Sequence, residues 1–132
     1  MKILGIDYGR KKIGLAISEG RLAEPYMVVR VENVRQGQDK IVNIIVGLRV
    51  QRIVVGISEG KMEEEAKKFG QSLSKKLNIP VETCDETLTT REAKTLSLEA
   101  GIGRKKRKSL EDSYAATLIL QRYLDVHGID SS

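Results

Sequence analysis

Four places in the chain put carboxylates where chemistry could use them. Asp7 closes the apolar run Ile3–Ile6, and Ser58-Glu59 follows Arg52–Ile57. Asp85-Glu86 follows Pro80–Cys84, and Asp112 stands at the start of the last apolar helical stretch. If those runs are strands of an open α/β sheet, a site is expected beyond their carboxyl ends. Carboxylates that converge repel one another, and burial raises their pKa values. A hard divalent cation held by their oxygens relieves both effects. Two such ions about 4 Å apart can activate a water and stabilise a leaving oxygen in phosphodiester cleavage. Cations stand beside two of the acids: Arg10, Lys11 and Lys12 just after Asp7, and Arg104, Lys105, Lys106, Arg107 and Lys108 just before Asp112. Such runs would hold a nucleic-acid backbone.

Each residue also has an ordinary structural reading. Asp7 in a Tyr-Gly turn could stabilise that turn, and Glu86 could be a solvated loop acid. Ser109-Leu-Glu-Asp112 matches a capping box, and an acid there suits the helix dipole. Thr89-Thr-Arg-Glu92 is a second such pattern, and for Glu92 capping is the preferred reading. Arg104–Lys108 could be a solvated loop. Tyr8, Tyr114 and Tyr123 could stack on bases, although packing is the commoner use of tyrosine at such spacing.

The elements that must position these acids follow from periodicity. Ile3–Ile6 and Ile13–Ile17, split by a glycine turn, form a β-hairpin, and Tyr26–Val31 is a third strand. Gln38–Leu48 carries a helical stripe of Ile41, Ile44, Ile45 and Leu48. Arg52–Ile57 is a buried strand. Met62, Ala66, Phe69, Leu73 and Leu77 mark a helix that Asn78 can end. Pro80–Cys84 is a short strand and Thr90–Glu99 a helix. A basic loop, GIGRKKRK, then leads into a last helix from about Leu110 to Val126. Strands that follow a helix return parallel to the first by right-handed crossovers. The expected fold class is therefore α/β: a mixed five-stranded sheet, strands 1–3 antiparallel and strands 4–5 parallel, with helices on its faces.

Length and composition bound the rest. The 132 residues suit one domain, 1–132, with a modest core; 40% are hydrophobic. Lys plus Arg number 23 against 18 Asp plus Glu, a formal charge of +5, which favours a polyanionic partner. One Cys and one His make neither a disulfide nor a zinc site. The start, MKILGIDYG, has no h-region, and no run is long enough to span a membrane. A cytoplasmic protein is expected.

Four segments in order, GIDYGRKKIGLAIS, RIVVGI, PVETCDETLTTREA and LEDSYAATLILQRYL, resemble the YqgF or RuvX family of Holliday-junction-resolvase-like proteins. The match runs from Ile3 to about Leu124. The resemblance implies a ribonuclease H-like fold related to the RuvC resolvases. It implies Asp7, Glu86 and Asp112 as catalytic ligands of Mg²⁺ or Mn²⁺ in nucleic-acid hydrolysis. It further implies maturation of the 5′ end of precursor 16S ribosomal RNA, with Holliday-junction resolution as the alternative. Two departures stand out. Thr87 replaces the family's usual Arg, whose phosphate contact Arg91 could supply, and Ile57-Ser-Glu-Gly replaces a Leu-Pro stretch, leaving Glu59 as a further candidate acid. The expected partners are nucleic acid, either precursor ribosomal RNA or branched DNA, and no membrane; the expected state is a monomer or weak homodimer. A binding module without hydrolysis is the competing reading. GIDYG followed by IGLA also resembles the first phosphate loop of actin-like ATPases, but those need two such domains.

Overall fold

Ile3–Asp7 is apolar on both faces, and that double burial decides where the strand lies. A strand covered on both sides belongs at the centre of a sheet with helices above and below. In the computed structural model, residues 1–57, 61–85 and 104–127 are described, with side chains except at 61, 85 and 104–112. The elements are β1 (Ile3–Asp7), β2 (Lys12–Ser18), β3 (Ala23–Arg30), α1 (Val34–Leu48), β4 (Arg52–Ile57), α2 (Lys61–Leu77), β5 (Val81–Asp85) and α3 (Arg104–His127). The sheet order is β3-β2-β1-β4-β5. β1, β2 and β3 pair antiparallel, while β4 lies parallel to both β1 and β5. The mixed five-stranded sheet expected from the crossover argument is the one observed.

Alternation along β1 divides the core in two. Leu4, Ile6 and Tyr8 face α1 and α2, packing with Ile41, Ile45, Phe69 and Leu73. Ile3 and the residues in phase with it face α3, where Ala116, Ile119, Leu120 and Tyr123 cover them. Tyr8 and Tyr123 are both buried, Tyr8 against Phe69 with ring centroids 4.9 Å apart, so packing is the correct reading of these rings. At the end of α2, Asn78 takes the left-handed conformation (φ 54°) and donates its N–H to the Ser74 carbonyl at 2.8 Å, the ending expected of it.

Strand bounds shift by a residue or so except at β3, which starts at Ala23 instead of Tyr26, and two helix starts differ further from expectation. α1 starts at Val34 instead of Gln38, because Asn33 caps it by accepting the Gln36 N–H at 2.8 Å. α3 starts at Arg104 instead of Leu110, so Arg104–Lys108 is helical and not a loop. Lys and Arg are good helix formers, and a run of them need not break a helix. Ser109 therefore lies inside α3 and cannot cap it, and Asp112 is well beyond the first turn. About 12 Å of helix precedes Asp112. The helix expected at Thr90–Glu99 and the Thr89–Glu92 cap lie outside the described residues.

Side chains fasten α3 to the sheet at both ends. Ser113 Oγ donates to the Leu15 carbonyl at 3.1 Å, a buried bond. Further along, Gln121 accepts the Ala23 N–H and donates to the Arg21 carbonyl, both at 2.8 Å. Arg52 donates to the Tyr123 hydroxyl at 2.8 Å. Since Leu15 pairs with Ile6 and Arg52 with Ile3, α3 runs antiparallel to β1. No helix among the described residues is long and apolar enough to cross a membrane.

Candidate functional site

Asp7 ends β1 half-buried, on the face that α3 covers. Its cross-strand neighbours are Gly14 on β2 and Gly56 on β4, and Gly56 in turn pairs with Cys84 on β5. Neighbours in register share a face. Across three central strands at this level, Asp7 is therefore the one position that carries a side chain. Two glycines beside an acid leave its surroundings to be filled from outside the sheet.

The helix bearing Asp112 is brought close by a third glycine. A Cβ at Gly5 would sit 2.8 Å from the Leu120 Cβ and 3.0 Å from the Ala116 carbonyl oxygen, so only glycine permits the contact. Asp112 lies four residues before Ala116, about 6 Å along the helix. Asp7 lies two residues beyond Gly5, about 6.6 Å along the strand. Because the two elements run antiparallel, the backbone of Asp112 comes level with Asp7. Glu86 directly follows β5, whose last residue Asp85 pairs with Ile57. Glu86, Glu59, Thr87 and Arg91 lie outside the described residues, and of the three expected ligands Asp7 alone has a described side chain. No group of three metal-binding side chains occurs among the described residues.

The basic turn after Asp7 is divided. A Cβ at Gly9 would fall 2.5 Å from the Lys12 carbonyl oxygen, so the turn closes tightly there. Arg10 reaches α2, where its Nε lies 3.1 Å from both Glu65 carboxylate oxygens and its Nη2 also donates to Oε1. This hydrogen-bonded pair raises the Arg10 pKa and holds Glu65 below the usual carboxylate range. Burial, followed by the Glu65 charge, pushes the Tyr8 hydroxyl above its ordinary value. Arg10, expected to line a phosphate path, is thus engaged by a protein carboxylate. Lys11 and Lys12 turn the other way, Lys12 standing opposite Arg30 on β3. Glu65 was not legible in the sequence: it is one of three consecutive glutamates, and its partner lies 55 residues away.

The family model described as "RuvX: Holliday junction resolvase" matches residues 1–126. The chain belongs to the RuvX family. Curated RuvX relatives carrying the provisional name pre-16S rRNA nuclease include those of Levilactobacillus brevis (38% identical, covering 97% of this chain and 96% of the relative) and Pelotomaculum thermopropionicum (39%, covering 97% and 89%). Among solved structures, Thermus thermophilus RuvC with a Holliday junction substrate aligns at TM-score 0.66 and 17% identity over 98% of both chains. The fowlpox virus Holliday junction resolvase aligns at TM-score 0.66 and 12% identity, over 96% of this chain and 99% of that one. Those two likenesses bear on the fold, which is the ribonuclease H-like one. Membership of RuvX makes the chain a nuclease, a hydrolase of nucleic-acid phosphodiester bonds.

Proposed function

We propose that this RuvX protein matures the 5′ end of precursor 16S ribosomal RNA, with Asp7, Glu86 and Asp112 as the ligands of Mg²⁺ or Mn²⁺. The observation that carries the site is the glycine-flanked Asp7 level with the Asp112 segment of α3. The substrate rests on the names of relatives that share more than a third of their residues with this chain. The donor set is carboxylate oxygen throughout, which suits a hard divalent cation better than zinc or copper. Such an ion, when bound, supplies Lewis acidity at the scissile phosphate.

The protein's own groups do the positioning. Asp7 is rigid because β1 is hydrogen-bonded on both sides. Ser113 fixes the rotation and height of α3 and acts as a positioning residue for Asp112. Lys11 and Lys12 place positive charge where an RNA backbone would leave the site. The N-termini of α1 and α2 lie at the same end of the sheet as Asp7, adding partial positive charge there.

The test is cleavage of two labelled substrates, precursor RNA fragments spanning the 16S 5′ end and a synthetic four-way DNA junction. Wild type and Asp7→Asn are compared with Mg²⁺, with Mn²⁺ and with chelator. Metal-dependent cutting of the RNA, lost in Asp7→Asn while its melting temperature holds, is the expected result. Cutting of the junction alone would transfer the function to recombination, the reading that the family description favours. Binding of both without cutting would make the chain a non-catalytic module, with Thr87 the first suspect.

A further inference from the structure

Beside the candidate site, at the rim where β2 begins and β3 ends, lies a groove of about 540 Å³. Lys11, Lys12, Arg30, Glu32, Gln36 and Lys40 line it, together with Val31. Four cations therefore face one acid. None of the four cations forms an ion pair among the described residues. The contrast with the opposite rim shows that this is not merely the chain's general basicity. The larger pocket there, about 770 Å³, takes Lys2 and Arg21 but also Glu19 and Glu24, and Lys2 pairs with Glu19 at 3.2 Å.

The groove is built, not incidental. Lys40, on the first half of α1, donates its Nζ to the Arg30 carbonyl at 2.9 Å, tying α1 to the end of β3. The Val31 N–H donates to the Lys11 carbonyl at 2.9 Å, closing β3 onto the basic turn. Lys12 and Arg30 are direct cross-strand partners, an arrangement of like charges that is unfavourable unless an anion joins them. Asp7 pairs with Gly14, two residues along β2 from Lys12, so the Asp7 and Lys12 backbones are about 8 Å apart by strand spacing. A strand held at Asp7 reaches the groove within a nucleotide or two.

We infer that the groove formed by Lys11, Lys12, Arg30 and Lys40 is a track for the phosphate backbone of the nucleic-acid strand flanking the scissile bond, so the substrate footprint extends over β3 and α1. This rests on the nuclease reading for where the strand starts, but its test is one of binding. Arg30 and Lys40 are the decisive members, since neither belongs to the catalytic turn.

The experiment measures the affinity of the full chain for a fluorescent single-stranded RNA fragment across a salt series. It compares wild type, Arg30→Gln/Lys40→Gln and, as an equal loss of charge at the far end of α2, Lys75→Gln/Lys76→Gln. Each phosphate contact contributes about 0.7 to the slope of log K against log salt for a single strand. The groove variant is expected to lower that slope by about 1.4, and the α2 variant to leave it unchanged. Arg30→Lys/Lys40→Arg, which keeps the charge, should restore it. Equal slopes in all three proteins would overturn the inference, as would equal losses in the two neutral variants. If Arg30→Gln/Lys40→Gln fails to fold, Lys11→Gln/Lys12→Gln takes its place with the same criterion. A wild type that binds with the expected slope pattern yet cuts nothing would retain the track and sink the nuclease reading. One that cuts with no slope difference would do the reverse.

Discussion

Among single residues, Asp7, Glu65 and Tyr8 make separable expectations. On the proposed reading, replacing Asp7 by Asn removes a metal ligand, and should cost more than the roughly 10–100-fold that losing a residue which only supports a ligand typically costs. If Arg10 belongs to the phosphate path, Glu65 competes with phosphate for it, so Glu65→Gln should free the guanidinium and tighten RNA binding severalfold at low salt. Because the pair is exposed, its loss should shift the melting temperature very little; weaker binding in Glu65→Gln would show instead that the carboxylate positions Arg10. Tyr8 titrates above its ordinary value of 10.0, first because it is buried. A raised folded pKa favours the protonated form, so its contribution is complete below about pH 10 and is lost as pH rises through the higher folded value. Tyr8→Phe keeps the ring against Phe69 and should match wild type near neutrality while resisting alkaline unfolding better, which denaturant melts on either side of pH 10 will show. The four acidic places stood out in the sequence because each closes or begins an apolar run, and the family resemblance chose Asp7, Glu86 and Asp112 among them. Glu65, Arg30 and Lys40 did not, since their meaning depends on neighbours far away along the chain.

Glycines separate two kinds of effect in the secondary-structure elements. Gly47 lies exposed within α1, and a Cβ there would meet nothing within 4 Å. Gly47→Ala should stabilise the protein by about 0.5–1 kcal/mol, read as a rise of about 4 °C in melting temperature. Gly5→Ala does the opposite, because its Cβ would strike α3 at 2.8 Å. A cost of about 1–3 kcal/mol is expected. The displaced helix carries Asp112, so cleavage should fall further than the loss of folded protein explains, as activity per folded molecule will reveal. Helix interiors and strands were readable from period alone. Helix starts were less so. The Asn33–Gln36 cap was present in the sequence but lay outside the apolar stripe, and the charges of Arg104–Lys108 hid a helix because solvated loops share that composition.

Over the molecule as a whole, strand order followed from connectivity, since a strand after a helix has few places to return. What connectivity could not convey was that one rim gathers the acid, the basic groove and the starts of α1 and α2, while the pocket at the other rim sets two cations against two acids. A ligand that binds only the folded state raises its stability. Mg²⁺ or Mn²⁺ should therefore raise the wild-type melting temperature more than that of Asp7→Asn, a measurement that needs no substrate. The position of β1 has a further consequence. Its amides are bonded on both flanks at the centre of the sheet, whereas β5, which leads directly to Glu86, has a partner strand on one flank alone among the described residues. Central strands open only with the whole molecule, and edges open sooner. Hydrogen exchange should therefore be slowest around Ile6 and quicker along Val81–Asp85. On gentle heating, catalytic turnover should be lost before the far-ultraviolet circular dichroism changes: the enzyme goes silent while still folded.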